Sequence, residues 1–270
     1  MARGIQRRLI LALIAAGLAA PAAEPDAAQL LREAADAVSK NRREAAFFVF
    51  QERIHVREIQ WDGEVKEGGE TGYEVIFVEG ESYHRRTSLN GKPLDARAAA
   101  EEEKRMLAVA EFRRKTPLDE RRRRFAAAER TRLRFDVKTL AENHEARFDR
   151  EDQCPEGPCL VISVWPRAGT RRPRHPSEWS LSLRGHLWLD RETKHPVRAE
   201  MEQGYDYHSQ PKGSKTRFKW ERVDGVWLIE SIVSRFEVDT RRVAVQETVQ
   251  AYSHYQRFQA ESVLVFHDPR

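Results

Sequence analysis

Residues 218–238, FKWERVDGVWLIESIVSRFEV, contain two strand-like runs that are separated by the dipeptide Asp224-Gly225. Apolar residues at alternate positions are typical of a β-strand with one buried face. Asp-Gly between two such runs is a strong local signal for a tight hairpin turn. The stretch therefore predicts two adjacent antiparallel strands, 218–223 and 226–238.

The same pattern continues on both sides of this hairpin, with short apolar runs separated by turn residues such as Glu79-Gly80 and Asn90-Gly91. The further predicted strands cover residues 45–58, 73–78, 81–89, 160–165, 185–190, 195–201 and about 242–258. Consecutive hairpins build an antiparallel meander, because each strand pairs with the next one along the chain.

Two segments have helical rather than strand character. Apolar residues recur at helical spacing over 26–43, and Asp26 is available as an N-cap. Residues 95–132 are rich in Ala, Glu, Arg and Lys, which are strong helix formers, and the sequence TPLD at 116–119 predicts the start of a second helix. The chain is therefore predicted to be an α+β protein with a helical insertion at 95–132.

The N-terminus has the features of a secretory signal peptide. Arg3, Arg7 and Arg8 precede an apolar run over 9–20, and small residues at Ala20 and Ala22 suit cleavage before Ala23. The run is shorter than a stable bilayer-spanning helix requires. We therefore expect export to the periplasm and a single mature domain over 23–270, with a retained N-terminal anchor as the alternative.

The net charge of the mature chain is lower than that of the full sequence if residues 1–22 are removed as a signal peptide. The sequence holds 47 Lys and Arg against 43 Asp and Glu. Residues 1–22 contain three arginines and no acidic residue, so the mature chain has a net charge of +1. A nearly neutral chain gives no support for nucleic-acid binding, and the remaining basic runs are typical of solvated surfaces.

The two cysteines, Cys154 and Cys159, enclose the tetrapeptide PEGP. In an exported chain they are expected to form a disulfide at a hairpin tip or strand entry. A redox-active pair is the alternative, but the spacing is C-x4-C rather than C-x-x-C, and no thioredoxin-like pattern surrounds it.

Several short motifs carry a resemblance to a known family. They are YHRR at 83–86, NGKPL at 90–94, LWLD at 187–190, PVR at 196–198 and VDGVWL at 223–228. Together with export and an opening helix, they make the chain similar to the outer-membrane lipoprotein carrier and lipoprotein-sorting superfamily. The resemblance implies a strongly curved antiparallel sheet, a half-barrel wrapped around the N-terminal helix and the insertion, and an apolar space that takes acyl chains. The long charged insertion departs from the compact carriers of that superfamily.

An apolar hollow of this kind needs aromatic and aliphatic side chains at alternate strand positions. The chain offers such a set, although each residue alone also fits ordinary core packing. The candidate cavity residues are Phe48, Phe50, Tyr73, Val75, Phe77, Trp188, Phe218, Trp220, Leu228, Ile232 and Phe236.

Motifs for catalysis are missing from the sequence. It has no Gly-x-Ser-x-Gly elbow, no His-Glu-x-x-His and no glycine-rich phosphate loop. Neighbouring strands are able to gather histidines and carboxylates into a metal site without any local spacing. The residues considered for such a site are His55, His84, His186, His195, His208 and His254 with Asp190, Asp206 and Glu247. We expect no metal, no cofactor and no enzymatic activity.

Two functions from different classes follow. The first is a monomeric periplasmic carrier for acyl chains of lipids or lipoproteins, and the second is a sensing or interaction module whose insertion binds an envelope protein. The apolar stripe of the insertion, Met106, Val109 and Phe112, distinguishes them. If it is buried, the insertion acts as a lid over a cavity, whereas an exposed stripe indicates a partner surface.

Overall fold

The structure is a computed structural model that describes residues 24–129, 135–206, 211–238 and 243–258. The predicted signal peptide and the last residues of the predicted insertion lie outside this part of the chain. The helices are α1 (Ala27–Ala45), α2 (Ala96–Lys115), α3 (Leu118–Glu129) and α4 (Val137–Asn143), with a 3-10 helix at Pro176–Ser182. No described helix combines the length and apolar composition that a bilayer span requires.

The strands form one open antiparallel sheet. They are β1 (Phe48–Gln60), β2 (Val65–Val78), β3 (Glu81–Leu89), β4 (Lys92–Pro93), β5 (His144–Cys154), β6 (Gly157–Pro166), β7 (Leu183–Asp190), β8 (Pro196–Gln203), β9 (Lys215–Val223), β10 (Val226–Glu237) and β11 (Val243–Arg257). Their order in the sheet is β4-β3-β2-β1-β11-β10-β9-β8-β7-β6-β5. The predicted α+β class and antiparallel meander are thereby confirmed.

One pairing in the sheet joins distant parts of the chain. β1 pairs with β11, so that the two meanders on either side of the insertion become a single sheet. β2 also begins at Val65, earlier than the predicted Tyr73. Glycines are disfavoured inside strands, but at Gly68 an added Cβ would meet the Val56 carbonyl oxygen at 2.6 Å, so close backbone approach requires glycine there.

The main core lies on the face of the sheet that carries α1, which we call the α1 face. The Asp26 carboxylate caps this helix by accepting from the backbone N–H of Ala28 at 2.9 Å. Buried Leu30 and Leu31 of α1 and Leu140 of α4 then pack on the sheet. The residues beneath them form a directly paired row across five strands, namely Ile162, Leu187, Ala199, Phe218 and Ile232.

The helical insertion packs on the opposite face, at the other end of the sheet. His84 pairs with Val75, and Val75 pairs with Phe50, in a row on the α1 face. Tyr83 precedes His84 on β3, so its side chain lies on the opposite face. The Tyr83 hydroxyl donates to the buried Glu102 carboxylate of α2 at 2.9 Å. The sheet therefore carries α1 and α4 on one face and the insertion on the other.

An arginine of the insertion holds it against the β2–β3 hairpin. The guanidinium of Arg113 donates to the carbonyl oxygens of Val78, Glu81 and Ser82 at 2.8, 2.9 and 3.0 Å. Arg121 of α3 adds an ion pair to Glu81 at 3.0 Å. Two residues of the basic runs thus face inward, and their charges serve attachment of the insertion.

The predicted disulfide between Cys154 and Cys159 is confirmed. Cys154 ends β5 and pairs with Gly157 at the start of β6, so the bridge closes the tip of this hairpin. Both cysteines are buried and pack with Val161, Trp188 and other residues on the face opposite α1.

Candidate functional site

An apolar cavity of about 520 Å³ lies between the helices and the α1 face of β9, β10 and β11. This volume falls within the ~300–1,000 Å³ of typical small-molecule sites. Its lining comprises Val38, Phe135, Val137, Trp179, Thr216, Phe218, Trp220, Ile229, Ile232, Ser234, Phe236, Thr248 and Gln250.

The sheet forms the floor of the cavity and aromatic rings form one wall. Phe218 lies beside Ile232 on the next strand, and Trp220 lies beside Ile229. The ring of Phe135, just before α4, stacks on Phe218 with 4.5 Å between the ring centroids. Trp179 of the 3-10 helix lies 6.4 Å from the same ring. These rings come from three separate segments and converge only because α4 and the 3-10 helix cover the sheet.

The floor is long in the direction of the strands. Its residues on β10 run from Ile229 to Phe236, which at the usual rise of a strand corresponds to roughly 20 Å. A long and narrow apolar surface of this shape suits an extended hydrocarbon chain better than a compact ring system.

None of the described lining residues carries a charge, and several of the few polar groups have hydrogen-bond partners in the protein. The hydroxyls of Thr216 and Ser234 lie 3.3 Å apart. The Gln250 carbonyl oxygen accepts from the Tyr252 hydroxyl at 3.1 Å, and the indole N–H of Trp179 donates to Gln203. Polar groups that are already satisfied leave an apolar ligand little to desolvate.

Four of the residues predicted from sequence line this cavity: Phe218, Trp220, Ile232 and Phe236. They lie on adjacent strands of the hairpin that contains Asp224-Gly225, and their side chains share the α1 face. The hairpin that best predicts the fold therefore also supplies the floor of the candidate site.

Trp188, also among the predicted residues, lies on the other face of the sheet. It alternates along β7 with Leu187, which packs in the α1-face core. Its indole N–H donates to the Asp152 carboxylate at 3.1 Å, and the Arg198 guanidinium lies 4.6 Å from the ring centroid. Trp188 therefore lies on the disulfide side of the sheet and outside the described lining of the cavity, and Trp220 of that lining packs against the cluster that contains Trp188.

The remaining predicted residues lie away from the cavity, towards β1 and β2. Phe48 and Leu228 form a small buried cluster, and Phe50 packs 5.3 Å from the Tyr255 ring. Val75 is buried, the ring of Tyr73 lies beside that of His84, and the ring of Phe77 lies beside that of Phe258. The structure does not bring these side chains into the lining of the cavity.

Sequence reasoning missed several lining residues because they are not strand residues. Val38 belongs to the predicted buried stripe of α1, but Phe135, Val137 and Trp179 lie in or beside short helical segments with no long periodic pattern. The missed strand residues are Thr216, Ile229, Ser234, Thr248 and Gln250, and most of them are polar, so a search for alternating apolar residues passes over them. The contributions of Phe135, Val137 and Trp179 to the lining depend on tertiary contacts.

Two buried histidines have altered acidity without belonging to a metal site. Burial lowers the pKa of His195 to about 4, and it also lowers the pKa of His144, whose Nε2 lies 2.8 Å from the Leu183 carbonyl oxygen. The half-buried His55 pairs with one carboxylate, Glu67, at 2.7 Å, and the exposed His84 pairs with Glu52 at 3.2 Å. Within the described ranges no three His, Cys, Asp or Glu side chains are grouped as metal ligands, while His208 lies outside those ranges.

No protein-family model matches the chain, and a search of curated proteins gives no significant match. Solved structures that are similar to it include a domain provisionally named as an outer membrane lipoprotein-sorting protein, from Vibrio parahaemolyticus. That domain is 10% identical with a TM-score of 0.39, and the similarity covers 87% of this chain and 95% of the other.

A LolA superfamily protein from Nitrosomonas europaea is 11% identical with a TM-score of 0.33, over 87% of this chain and 94% of that one. The MucA/MucB complex of Pseudomonas aeruginosa gives 14% identity and a TM-score of 0.25, over 84% and 93%. The superfamily that the sequence motifs resemble is thus among the structural neighbours. Similarities this distant say nothing about what the chain binds.

Proposed function

We propose that this protein is a non-catalytic binding protein for the acyl chains of lipids or lipoproteins in the bacterial periplasm. The observation that carries the proposal is the elongated cavity on the α1 face, whose described lining is uncharged and mostly apolar. Burying methylene groups there contributes about 0.8 kcal/mol each. A chain of several methylenes therefore gains enough free energy for reversible binding without any charged contact.

The proposed location rests on the signal peptide predicted at 1–22. The mature protein then starts near Ala23, forms one domain over 23–270 and carries the disulfide. Intact-mass measurement of protein from the periplasm tests this: the expected mass corresponds to residues 23–270 minus two hydrogens. A retained N-terminus would contradict release of the chain into the periplasm.

The class of ligand is tested by native mass spectrometry of protein purified from its own periplasm. We expect one lipid-sized adduct per chain, lost on mild activation in the gas phase. Apolar ligands in uncharged cavities are held without ion pairs, so the adduct should survive high salt during purification. A chain that carries no adduct and binds no fluorescent fatty acid would contradict the proposal.

A substitution on the cavity floor tests the site directly. Ile232→Asp places a carboxylate against the acyl chain and should weaken binding of a fluorescent fatty acid more than tenfold. The matched control is Ser231→Asp, because Ser231 precedes Ile232 on β10 and its side chain lies on the opposite face. Equal binding by both variants would place the ligand elsewhere.

One observation favours a second function, namely protein interaction through the insertion. Met106 is buried against the sheet, but Phe112 is 44% exposed, Leu118 is 50% exposed and Phe125 is 57% exposed. No insertion residue is among the described lining of the cavity. The insertion therefore does not cover the cavity, and its exposed apolar residues are of the kind that mark partner surfaces.

A photo-crosslinking residue at position 125 tests this second function in cells. Crosslinks to a defined envelope protein from position 125, with none from the exposed position 100 of α2, would support it. Similar weak crosslinking from both positions would indicate that the exposed rings have no specific partner.

A further inference from the structure

The face of the sheet opposite α1 carries a groove of about 930 Å³ across its strands, and its chemistry is the reverse of the apolar cavity. Side chains from β5 to β11 line it. The charged lining residues are Arg147, Arg184, Glu200, Glu202, Lys215, Arg217, Arg235 and Glu247. Five cations and three carboxylates give this lining a net positive charge.

Three of the cations occupy neighbouring positions on β9 and β10 in the groove. Lys215 on β9 lies directly opposite Arg235 on β10 in the register of the sheet, and both side chains are exposed. Arg217 lies two residues further along β9 and therefore on the same face. Like charges directly opposite each other on adjacent strands lower the stability of a sheet.

The nearby carboxylates also pair with cations around the site. Glu202, which faces Lys215 in the register, pairs with Arg184 at 2.5 Å, and Glu200 is shared between Arg198 and Arg217, the latter at 2.9 Å. Glu247, which faces Arg235 in the register, lies 3.6 Å from Arg57. In the part of the chain that the structure describes, Lys215 and Arg235 form neither an ion pair nor a side-chain hydrogen bond.

We propose that this groove binds a ligand through a phosphate group held between Lys215, Arg217 and Arg235. A phosphate group carries close to two negative charges at neutral pH and presents three oxygens, which matches three neighbouring cations better than a single carboxylate does. Arginine also binds phosphate oxygens in pairs through its planar guanidinium. The groove is larger than one phosphate and holds the rest of the ligand beside Val233 and Trp165.

This site is independent of the proposed acyl-chain function. Ile232 lines the apolar cavity, whereas the next residue, Val233, lines the groove. The sheet thus separates the two sites, and a lipid with its tail in the cavity does not reach the groove with its headgroup. Loss of one activity leaves the other measurable.

Thermal unfolding with inorganic pyrophosphate tests the site, with sodium chloride at equal ionic strength as the reference. Pyrophosphate should raise the Tm of the wild type more than chloride does, because general screening is the same in both. Lys215→Gln and Arg235→Gln should each raise the Tm without ligand by about 1–3 °C by removing the repulsion, and should lose the extra response to pyrophosphate.

The matched control is Lys66→Gln, because Lys66 is an exposed strand cation that lies opposite Glu58 rather than opposite another cation. It should gain no stability and should keep the pyrophosphate response. Equal effects of pyrophosphate and chloride on the wild type, or a full pyrophosphate response in Lys215→Gln, would overturn the proposal.

Sedimentation with phosphatidic acid vesicles, whose headgroup is a terminal phosphate with three free oxygens, separates the two sources of the phosphate. Binding to vesicles that Lys215→Gln abolishes would indicate a phospholipid headgroup. A pyrophosphate response without vesicle binding would indicate a soluble phosphorylated ligand.

Discussion

At the scale of single residues, His195 shows how burial sets acidity in this protein. It lies in the turn before β8, only 3% of its surface is exposed, and its ring stacks 5.6 Å from that of Trp227. Its Nδ1 donates to the Pro196 carbonyl oxygen at 2.8 Å. Because a buried imidazolium is poorly solvated, the pKa of His195 falls to about 4.

The pKa of His195 predicts how stability depends on pH. The unfolded chain takes up this proton near pH 6.5, but the folded chain does so only near pH 4. Protonation between these values therefore favours unfolding, so stability is full above pH 6.5 and falls by up to about 3 kcal/mol as pH decreases towards 4.

Denaturant unfolding of the wild type and His195→Asn between pH 7 and 4.5 measures this effect. The variant should show a shallower fall, with His144 accounting for part of what remains. Glu178, whose pKa is lowered to about 2 by Arg171, begins to contribute only near pH 4.5, where its carboxyl takes up a proton in the unfolded chain, and it does so equally in both proteins. Identical slopes in both proteins would show that His195 becomes protonated in the folded state.

The two tryptophans on opposite faces of the sheet give a second prediction at this scale. Trp220 lines the apolar cavity, whereas Trp188 lies on the disulfide side. A fatty acid with a bromine-labelled chain should quench Trp220 because quenching by bromine needs close contact. Trp188→Phe should raise the fractional quenching, because it removes an unquenched fluorophore, and Trp220→Phe should reduce it to the part that Trp179 contributes. The reverse result would place the chain on the opposite face.

At the scale of elements, the β5–β6 hairpin depends on its disulfide. The bridge closes a loop of only a few residues, so its effect on the entropy of the unfolded chain is modest, about 2 kcal/mol. The double variant Cys154→Ser/Cys159→Ser should lose about that much free energy of unfolding. Addition of a reductant should destabilise the wild type by a similar amount and leave the double variant unchanged, whereas equal sensitivity of both would be inconsistent with the prediction.

The β9–β10 hairpin shows how one element serves both faces. Successive side chains of the hairpin lie on opposite faces of the sheet, so Phe218 and Ile232 line the apolar cavity, whereas Arg217 and Val233 line the charged groove. A slip of one residue in the register would exchange the two sets of side chains. The tight turn at Asp224-Gly225 and the buried apolar face together prevent such a slip.

At the scale of the whole molecule, the sheet separates the insertion from the apolar cavity. α2 packs on β2 and β3 on the face opposite α1, and the cavity lies under α1, α4 and the 3-10 helix. Phe112→Ser/Phe125→Ser should therefore change fatty-acid affinity less than twofold, with Ile232→Asp as the positive control. A tenfold loss in the double variant would show that the insertion contributes to the cavity after all.

Local patterns in the sequence determined most of the elements. The Asp224-Gly225 turn, the alternation of Phe218 and Trp220, the N-cap at Asp26 and the cysteine pair are signals that neighbouring residues carry by themselves, because hairpins, caps and short disulfide loops are closed within a few residues. The antiparallel α+β class followed from them.

Only the tertiary structure decided which residues form the candidate sites. Alternation shows that a strand has two faces but does not show which face receives the helices, so Trp188 and Trp220 looked equivalent in the sequence and lie on opposite sides in the fold. The pairing of β1 with β11, the approach of Phe135 to Phe218 and the opposition of Lys215 to Arg235 join residues from different segments. Such contacts depend on how the whole sheet closes over its helices, and no single stretch of the chain specifies them.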